Sequence, residues 1–187
     1  MYKVVLLKPL HPSGVELLRK HGCAVFVSRG VTEADFIKDI QDADAIFVRN
    51  EQITPHMMDS APKLKVIAKH GAGYDNIDVD YATKRQIRVV YVPGGNTVSV
   101  AEHVCMMMLA CARRINYVQN QFRSGNYAVR FTLSDTHDLA GATLGIIGCG
   151  HIGRMVAKKA RQGFDMKVIG YSRHHNETDL EEDGILY

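Results

Sequence analysis

Gly145-Ile-Ile-Gly-Cys-Gly-His-Ile-Gly-Arg154 is a short apolar run that leads into three glycines spaced G-x-G-x-x-G. Both flanks match a β-α-β unit. Leu144–Ile147 reads as a strand, a helical pattern follows through Met155, Val156 and Ala160 to Gly163, and Met166–Gly170 reads as a second strand. In such a turn Gly148 permits the sharp bend, Gly150 lets a pyrophosphate approach the backbone, and Gly153 brings helix and strand together. The helix start would supply free N–H groups and a partial positive charge to the phosphates. A purely structural turn is the alternative.

Upstream, β-rich runs alternate with helical ones. Val4–Leu7, Ala24–Val27, Ala45–Val48, Val66–Lys69 and Val89–Val92 read as strands. The helices between them carry start signals: Pro12 to Lys20 ends at Gly22, Thr32-Glu-Ala-Asp35 is a capping box, and Thr54-Pro55 supplies an N-cap and an N1 proline. Alternation of this kind implies parallel pairing through right-handed crossovers. The expected fold class is therefore α/β, with a flavodoxin-like doubly wound parallel sheet followed by an incomplete Rossmann dinucleotide-binding domain, divided as 1–97 and 98–187.

After Pro93-Gly94-Gly95 a single long helix is expected over Val98–Phe122. Its middle, Val104–Ala112, is apolar all round, so it must be buried on most sides, either as a core helix or as one shared between domains or subunits. A polar connector, Gly125–Asp138, leads to the second unit. The ending, Glu181–Tyr187, resembles a third strand cut off as it starts, which would leave the strand Leu144–Ile147 with one open edge.

Composition narrows the partners. The 187 residues are 46% apolar and 23% charged, with 23 Lys and Arg scattered against 20 Asp and Glu for a net charge of +3. That balance speaks against nucleic acid and membrane surfaces. Cys23, Cys105, Cys111 and Cys149 form no C-x-x-C pair, which fits a reducing cytoplasm. No secretory leader is expected, because Tyr2–Lys8 is a β pattern closed by Pro9, and the longest apolar run is far too short for a bilayer.

A second glycine turn, His70-Gly-Ala-Gly-Tyr-Asp-Asn-Ile-Asp78, follows the strand Val66–Lys69. Ligands of open α/β sheets bind outside such carboxyl ends, although a plain tight turn would look the same. HGAGYDNID, Asn96–His103 (NTVSVAEH) and Leu139–Gly153, in this order and spacing, resemble the D-isomer-specific 2-hydroxyacid dehydrogenases, most closely the phosphoglycerate dehydrogenase branch. The similarity covers essentially the whole chain. It implies an oxidoreductase that transfers a hydride between NAD or NADP and a 2-oxo or 2-hydroxy acid, with a substrate domain, a Rossmann domain and a dimerisation helix over 98–122.

Position by position, the resemblance gives Ala72 and Gly73 as backbone donors to the substrate carboxylate. It places Thr97 near the cofactor and Gly150, His151 and Ile152 in the pyrophosphate turn with Gly148 and Gly153. Arg49 matches an arginine that faces the substrate, or else is a solvated surface residue. Glu102 and His103 match structural positions. The family's catalytic arginine and its histidine–glutamate pair have no counterpart here, so residues 1–187 are expected to be inactive by themselves and to look truncated. His70 is the nearest substitute, and His174-His175 show no metal-ligand spacing. NAD enzymes place an acid about 20 residues past the first glycine; here Ser172 and Arg173 stand instead, which favours NADP slightly. Two other readings are a dinucleotide-sensing dimeric protein like the family's transcriptional corepressors, and a small flavodoxin-type binding domain with residues 99–187 as a dimerisation appendage.

Overall fold

The computed structural model describes residues 1–173 and 177–186. His174, His175 and Tyr187 lie outside the described residues. Two compact units divide the chain, Met1–Gly95 and Asn96–Tyr187.

The first unit is a five-stranded parallel sheet. Its elements are β1 (Tyr2–Leu6), α1 (Pro12–Lys20), β2 (Cys23–Val27), α2 (Glu33–Ile40), β3 (Ala45–Val48), α3 (Pro55–Asp59), β4 (Val66–Lys69), α4 (Val79–Lys84) and β5 (Arg88–Val90). The strand order is β2-β1-β3-β4-β5, all parallel, as a flavodoxin-like sheet requires. The helix starts behave as their sequences dictate. Thr32 accepts the Asp35 N–H while the Asp35 carboxylate accepts that of Thr32, and the Thr54 hydroxyl accepts from Met57 just ahead of Pro55.

Period-two alternation sends Val5, Ile46, Val48 and Ile67 to one face, where Phe36, Ile40, Met57, Met58 and Ala82 from α2, α3 and α4 cover them. The other face is less complete. Leu18 of α1 borders an open groove of about 600 Å3 whose floor includes Val4, Ala45, Phe47, Val66 and Ala68. β5 ends at Val90, short of the Val92 expected from its apolar run. The cause is a competing partner, because the Val92 N–H donates to Gly71 O at 3.1 Å and draws the chain towards the glycine turn.

The second unit opens with α5 (Thr97–Ala112) and continues through α6 (Ile115–Arg123), α7 (Val129–Thr132), β6 (Thr143–Ile147), α8 (His151–Phe164), β7 (Lys167–Tyr171) and α9 (Glu177–Glu182). Two expectations need correction. Thr97 does not close the first unit but begins α5, since Pro93-Gly94-Gly95 breaks the chain before it. The single helix Val98–Phe122 is two helices, because Arg114 adopts a left-handed conformation (φ 50°) between α5 and α6. Arg113 and Arg114 turn outward there to pair with Asp138 and Asp135 of the following connector. The connector itself contains α7.

The helix α5 is not a core helix. Only Thr97, Ala101 and Ala112 are buried, whereas Met106 and Met107 are 51% and 49% exposed. Its inner side packs on α8, and Ala112, Leu139, Ala157, Ala160, Met166 and Val168 form the core of the unit. β6 and β7 pair in parallel, and Leu186 bridges to Ile169 on the far side of β7. β6 thus has a neighbour on one side only among the described residues, and Ile147 at its end is 92% exposed. No helix among the described residues is long and apolar enough to cross a membrane.

Candidate active site: two glycine turns

In the second unit each glycine of the turn has a separate physical job. Gly148 has φ +96°, a region that L side chains rarely adopt, and its N–H donates to Tyr171 O at 2.8 Å, locking the turn to the end of β7. A Cβ on Gly153 would stand 2.3 Å from Gly148 O, so only glycine lets α8 seat against the turn. Around Gly150 there is open space, with nothing within 4 Å of a built Cβ. Gly150 is also the N-cap of a 14-residue helix and offers no side-chain cap. The first intrahelical bond is Arg154 N–H to Gly150 O at 2.9 Å, which leaves the N–H groups of His151, Ile152 and Gly153 without helical acceptors. Backbone donors and the positive end of the helix thus converge at a position whose chemistry suits an anion.

Cys149 lies buried behind the turn, its thiol over Ile146 O and Tyr171 O, and burial pushes its pKa up. The Arg154 Nε donates to Cys149 O at 3.1 Å and its guanidinium pairs with Asp183, tying the turn to the end of the unit. Ser172 and Arg173 follow Tyr171 directly. The bond from Gly148 to Tyr171 therefore puts them beside the turn, with Ser172 half-buried and Arg173 exposed. Thr97 is buried in the first turn of α5, the helix that packs along α8.

The contrast between two of the glycines gives a direct test. Gly153→Ala forces backbone against backbone and should cost about 1–3 kcal/mol, the range for overpacking, with loss of thermal stability in the second unit. Gly150→Ala has φ −78° and free space, so it gives up only the N-cap preference of glycine over alanine and should lose clearly less stability than Gly153→Ala. Its methyl would nonetheless occupy the phosphate approach, and binding of ADP-ribose, followed by amide shifts at residues 149–153, should be lost. Equal stability loss in both variants would contradict the division of roles.

In the first unit the turn after β4 is built differently. Gly71 has φ +149°, and the chain is pinned by Gly71 N–H to Lys69 O and Val92 N–H to Gly71 O, each at 3.1 Å. The N–H groups of Ala72 and Gly73 donate to no acceptor among the described residues. They lie at the carboxyl edge of the sheet with Ala72 half-buried and Gly73 exposed, free to take a carboxylate. Arg49 directly follows β3, and its exposed guanidinium makes no ion pair among the described residues. Its backbone is fixed: the N–H donates to the Glu51 carboxylate at 2.9 Å and the carbonyl accepts from Lys69. Burial pushes the Glu51 carboxyl up, but the N–H groups of Arg49, Glu51 and Asn50 outweigh it and hold the pKa below the usual value.

Ala72, Gly73 and Arg49 are thus brought together in one unit, and Gly148, Gly150, His151, Ile152, Gly153, Ser172 and Arg173 in the other. His70 stands between the end of β4 and Gly71. Its ring meets Phe47 edge-on at 6.0 Å, and it has no carboxylate partner among the described residues. Two contributors escaped the sequence, Lys69 and Asn76, whose side chains join the loops after β3 and β4. The signal was available: Lys69 shares the inward parity of Ile67, and a charge on the inward side of an apolar strand marks a buried cation.

Residues 4–175 match the family model described as D-isomer specific 2-hydroxyacid dehydrogenase, catalytic domain. The chain is 34% identical over 184 residues to D-3-phosphoglycerate dehydrogenase of Archaeoglobus fulgidus, covering 98% of this chain and 34% of that protein. It is 35% identical to glyoxylate reductase of Thermococcus kodakarensis, covering 99% of this chain and 58% of that one. Among solved structures, D-lactate dehydrogenase from Aquifex aeolicus complexed with NAD and lactic acid superposes with a TM-score of 0.78 at 27% identity, over 99% of this chain and 55% of the other. The chain therefore spans between about a third and three-fifths of the length of these relatives. With a family model covering nearly all of it and both glycine turns formed, the chain belongs to the D-isomer-specific 2-hydroxyacid dehydrogenases.

Proposed function

We propose that this chain supplies the substrate-binding domain and the first half of the dinucleotide-binding domain of an NAD(P)-dependent D-2-hydroxyacid dehydrogenase. The observation that carries this reading is the uncapped start of α8 behind the Gly148–Gly153 turn. There the N–H groups of His151, Ile152 and Gly153 would hold the pyrophosphate of the cofactor, and Thr97, Ser172 and Arg173 would lie towards it. The nicotinamide, when bound, supplies or accepts the hydride. In the first domain the Ala72 and Gly73 N–H groups would take the substrate carboxylate, each such charge-assisted bond contributing about 1.5–3 kcal/mol.

A 3-phosphoglycerate-like substrate is favoured over a two-carbon acid. Lys8, Arg29 and Arg49 follow β1, β2 and β3 almost directly, so three cations stand along the carboxyl edge, where a second anionic group could be met. The relatives cited include both a phosphoglycerate dehydrogenase and a glyoxylate reductase, which supports the acid class as a whole. A homodimer through α5 and α6 and a cytoplasmic setting complete the proposal. Four free cysteines, one of them exposed, fit a reducing compartment.

Cofactor choice is the finer test. A carboxylate at the end of β7 would repel a 2′-phosphate, whereas Ser172 does not and Arg173 can pair with one. Titrating the chain with ADP-ribose and with its 2′-phosphorylated form, read by amide shifts at Cys149–Gly153, should show the phosphorylated ligand bound at least as tightly. Ser172→Asp should reverse that order, and Arg173→Ala should weaken only the phosphorylated ligand. A tenfold preference of the unsubstituted chain for ADP-ribose, about 1.4 kcal/mol, would refute the NADP reading. Failure of both ligands to shift the turn would refute the dinucleotide site itself.

A further inference from the structure

We propose that Lys69 and Asn76 are positioning residues that hold the substrate-carboxylate turn in its binding shape, an inference that rests on the carboxylate reading of Ala72 and Gly73. Lys69 ends β4 on the covered face of the sheet and is only 9% exposed. Its Nζ donates to Arg49 O and, at 2.8 Å, to Asn76 Oδ1. The Asn76 side chain then donates to Glu51 O at 2.6 Å, while its backbone carbonyl accepts from Ile53 N–H at 2.8 Å. The loop after β3 and the turn after β4 are thereby stitched across one buried ammonium group.

Two further observations give the stitch a direction. A Cβ on Gly71 would stand 3.6 Å from Lys69 Cε, so the lysine stem runs directly behind the turn. Lys69 also forms no ion pair with a carboxylate among the described residues, and the nearby Glu51 carboxylate is engaged by the Arg49 and Asn50 N–H groups. A buried cation lacking a counter-charge is unfavourable by itself. A substrate carboxylate on the Ala72 and Gly73 N–H groups would bring negative charge to that side of the turn. Lys69 would thus order the donors through Asn76 and favour the anion they receive, without touching it. Arginine could keep the positive charge and several donors, whereas methionine keeps the stem and removes both functions.

The test uses the 187-residue chain with pyruvate as the carboxylate probe. In Lys69→Met, amide exchange at Ile53, Ile77 and Val92, the bonded N–H groups that frame the two loops, should rise about tenfold or more while β1 amides stay protected. The dissociation constant for pyruvate, read from the Ala72 and Gly73 amide shifts, should rise about tenfold or more, and Lys69→Arg should restore both quantities to within about threefold. Asn76→Ala removes the bridge but keeps the charge; it should loosen the same amides, and it serves if Lys69→Met does not fold. Unchanged exchange in the variants, or looser loops with unchanged pyruvate affinity, would overturn the positioning role. Loosened loops in variants of a chain that never shifts with pyruvate would instead refute the carboxylate reading and leave the stitch supported.

Discussion

Residues 1–187 by themselves should reduce neither hydroxypyruvate nor glyoxylate above the buffer rate. The reaction needs a group to exchange the hydroxyl proton, and neither His70, His56 nor Cys149 is placed to do so. His70 packs against Phe47 without a carboxylate partner. His56 and Glu33 approach to 3.5 Å, but they stand on α3 and α2 with both side chains in solvent, 74% and 46% exposed, and not at either glycine turn. Cys149 is buried behind the dinucleotide turn, and burial pushes its pKa up, which opposes thiolate formation. Loss of general acid–base catalysis alone costs about 10²–10⁴ in rate. The family resemblance implies that an arginine clamp and a histidine–glutamate pair are missing from these residues as well, which would compound the deficit. The measurement is NADH and NADPH oxidation at high chain concentration. Turnover that scales with the chain and vanishes in Gly153→Ala would show that a catalytic group has been overlooked.

The parts that were legible in the sequence depend on local chemistry. Five strands and their helices follow from apolar periodicity and from caps such as Thr32 and Thr54, whose bonds span three residues. The dinucleotide turn is local in the same sense: Gly148 needs its φ, and Gly153 meets a carbonyl only five residues back. The parts that were missed depend on partners distant in sequence. Nothing around Arg113 and Arg114 breaks a helix by propensity, and the acids they face, Asp135 and Asp138, lie more than twenty residues on. β5 stops early because of Gly71, and Lys69 finds Arg49 O twenty residues away. The geometry of the Gly148–Gly153 turn could therefore be read residue by residue, whereas the turn after β4 could be read but not its supports.

Replacing Met107 with aspartate should convert the folded protein from a dimer to a monomer. The run Val104–Ala112 is apolar on every side, yet the unit itself buries only the side of α5 that meets α8. The remainder faces outward and is continued by α6. The left-handed turn at Arg114 brings Ile115 and Tyr117 to the rim of the same groove as Met106, Met107 and Leu109, a depression of about 780 Å3. Contiguous apolar surface of this kind on a soluble unit marks an association site, and a second copy offers a matching apolar surface across a two-fold axis. Met107 is half-exposed in the single chain, so a carboxylate there costs the monomer little. Within a dimer seam the same carboxylate would be desolvated without a partner, a penalty of at least about 3 kcal/mol and thus a hundredfold or more in dimer affinity. Light scattering at micromolar concentration should give a dimer for the parent chain and for Val31→Asp, a control on the exposed surface of the first unit, and a monomer of unchanged helicity for Met107→Asp. A parent chain that is a stable monomer, or a Met107→Asp variant that remains dimeric, would place the interface elsewhere.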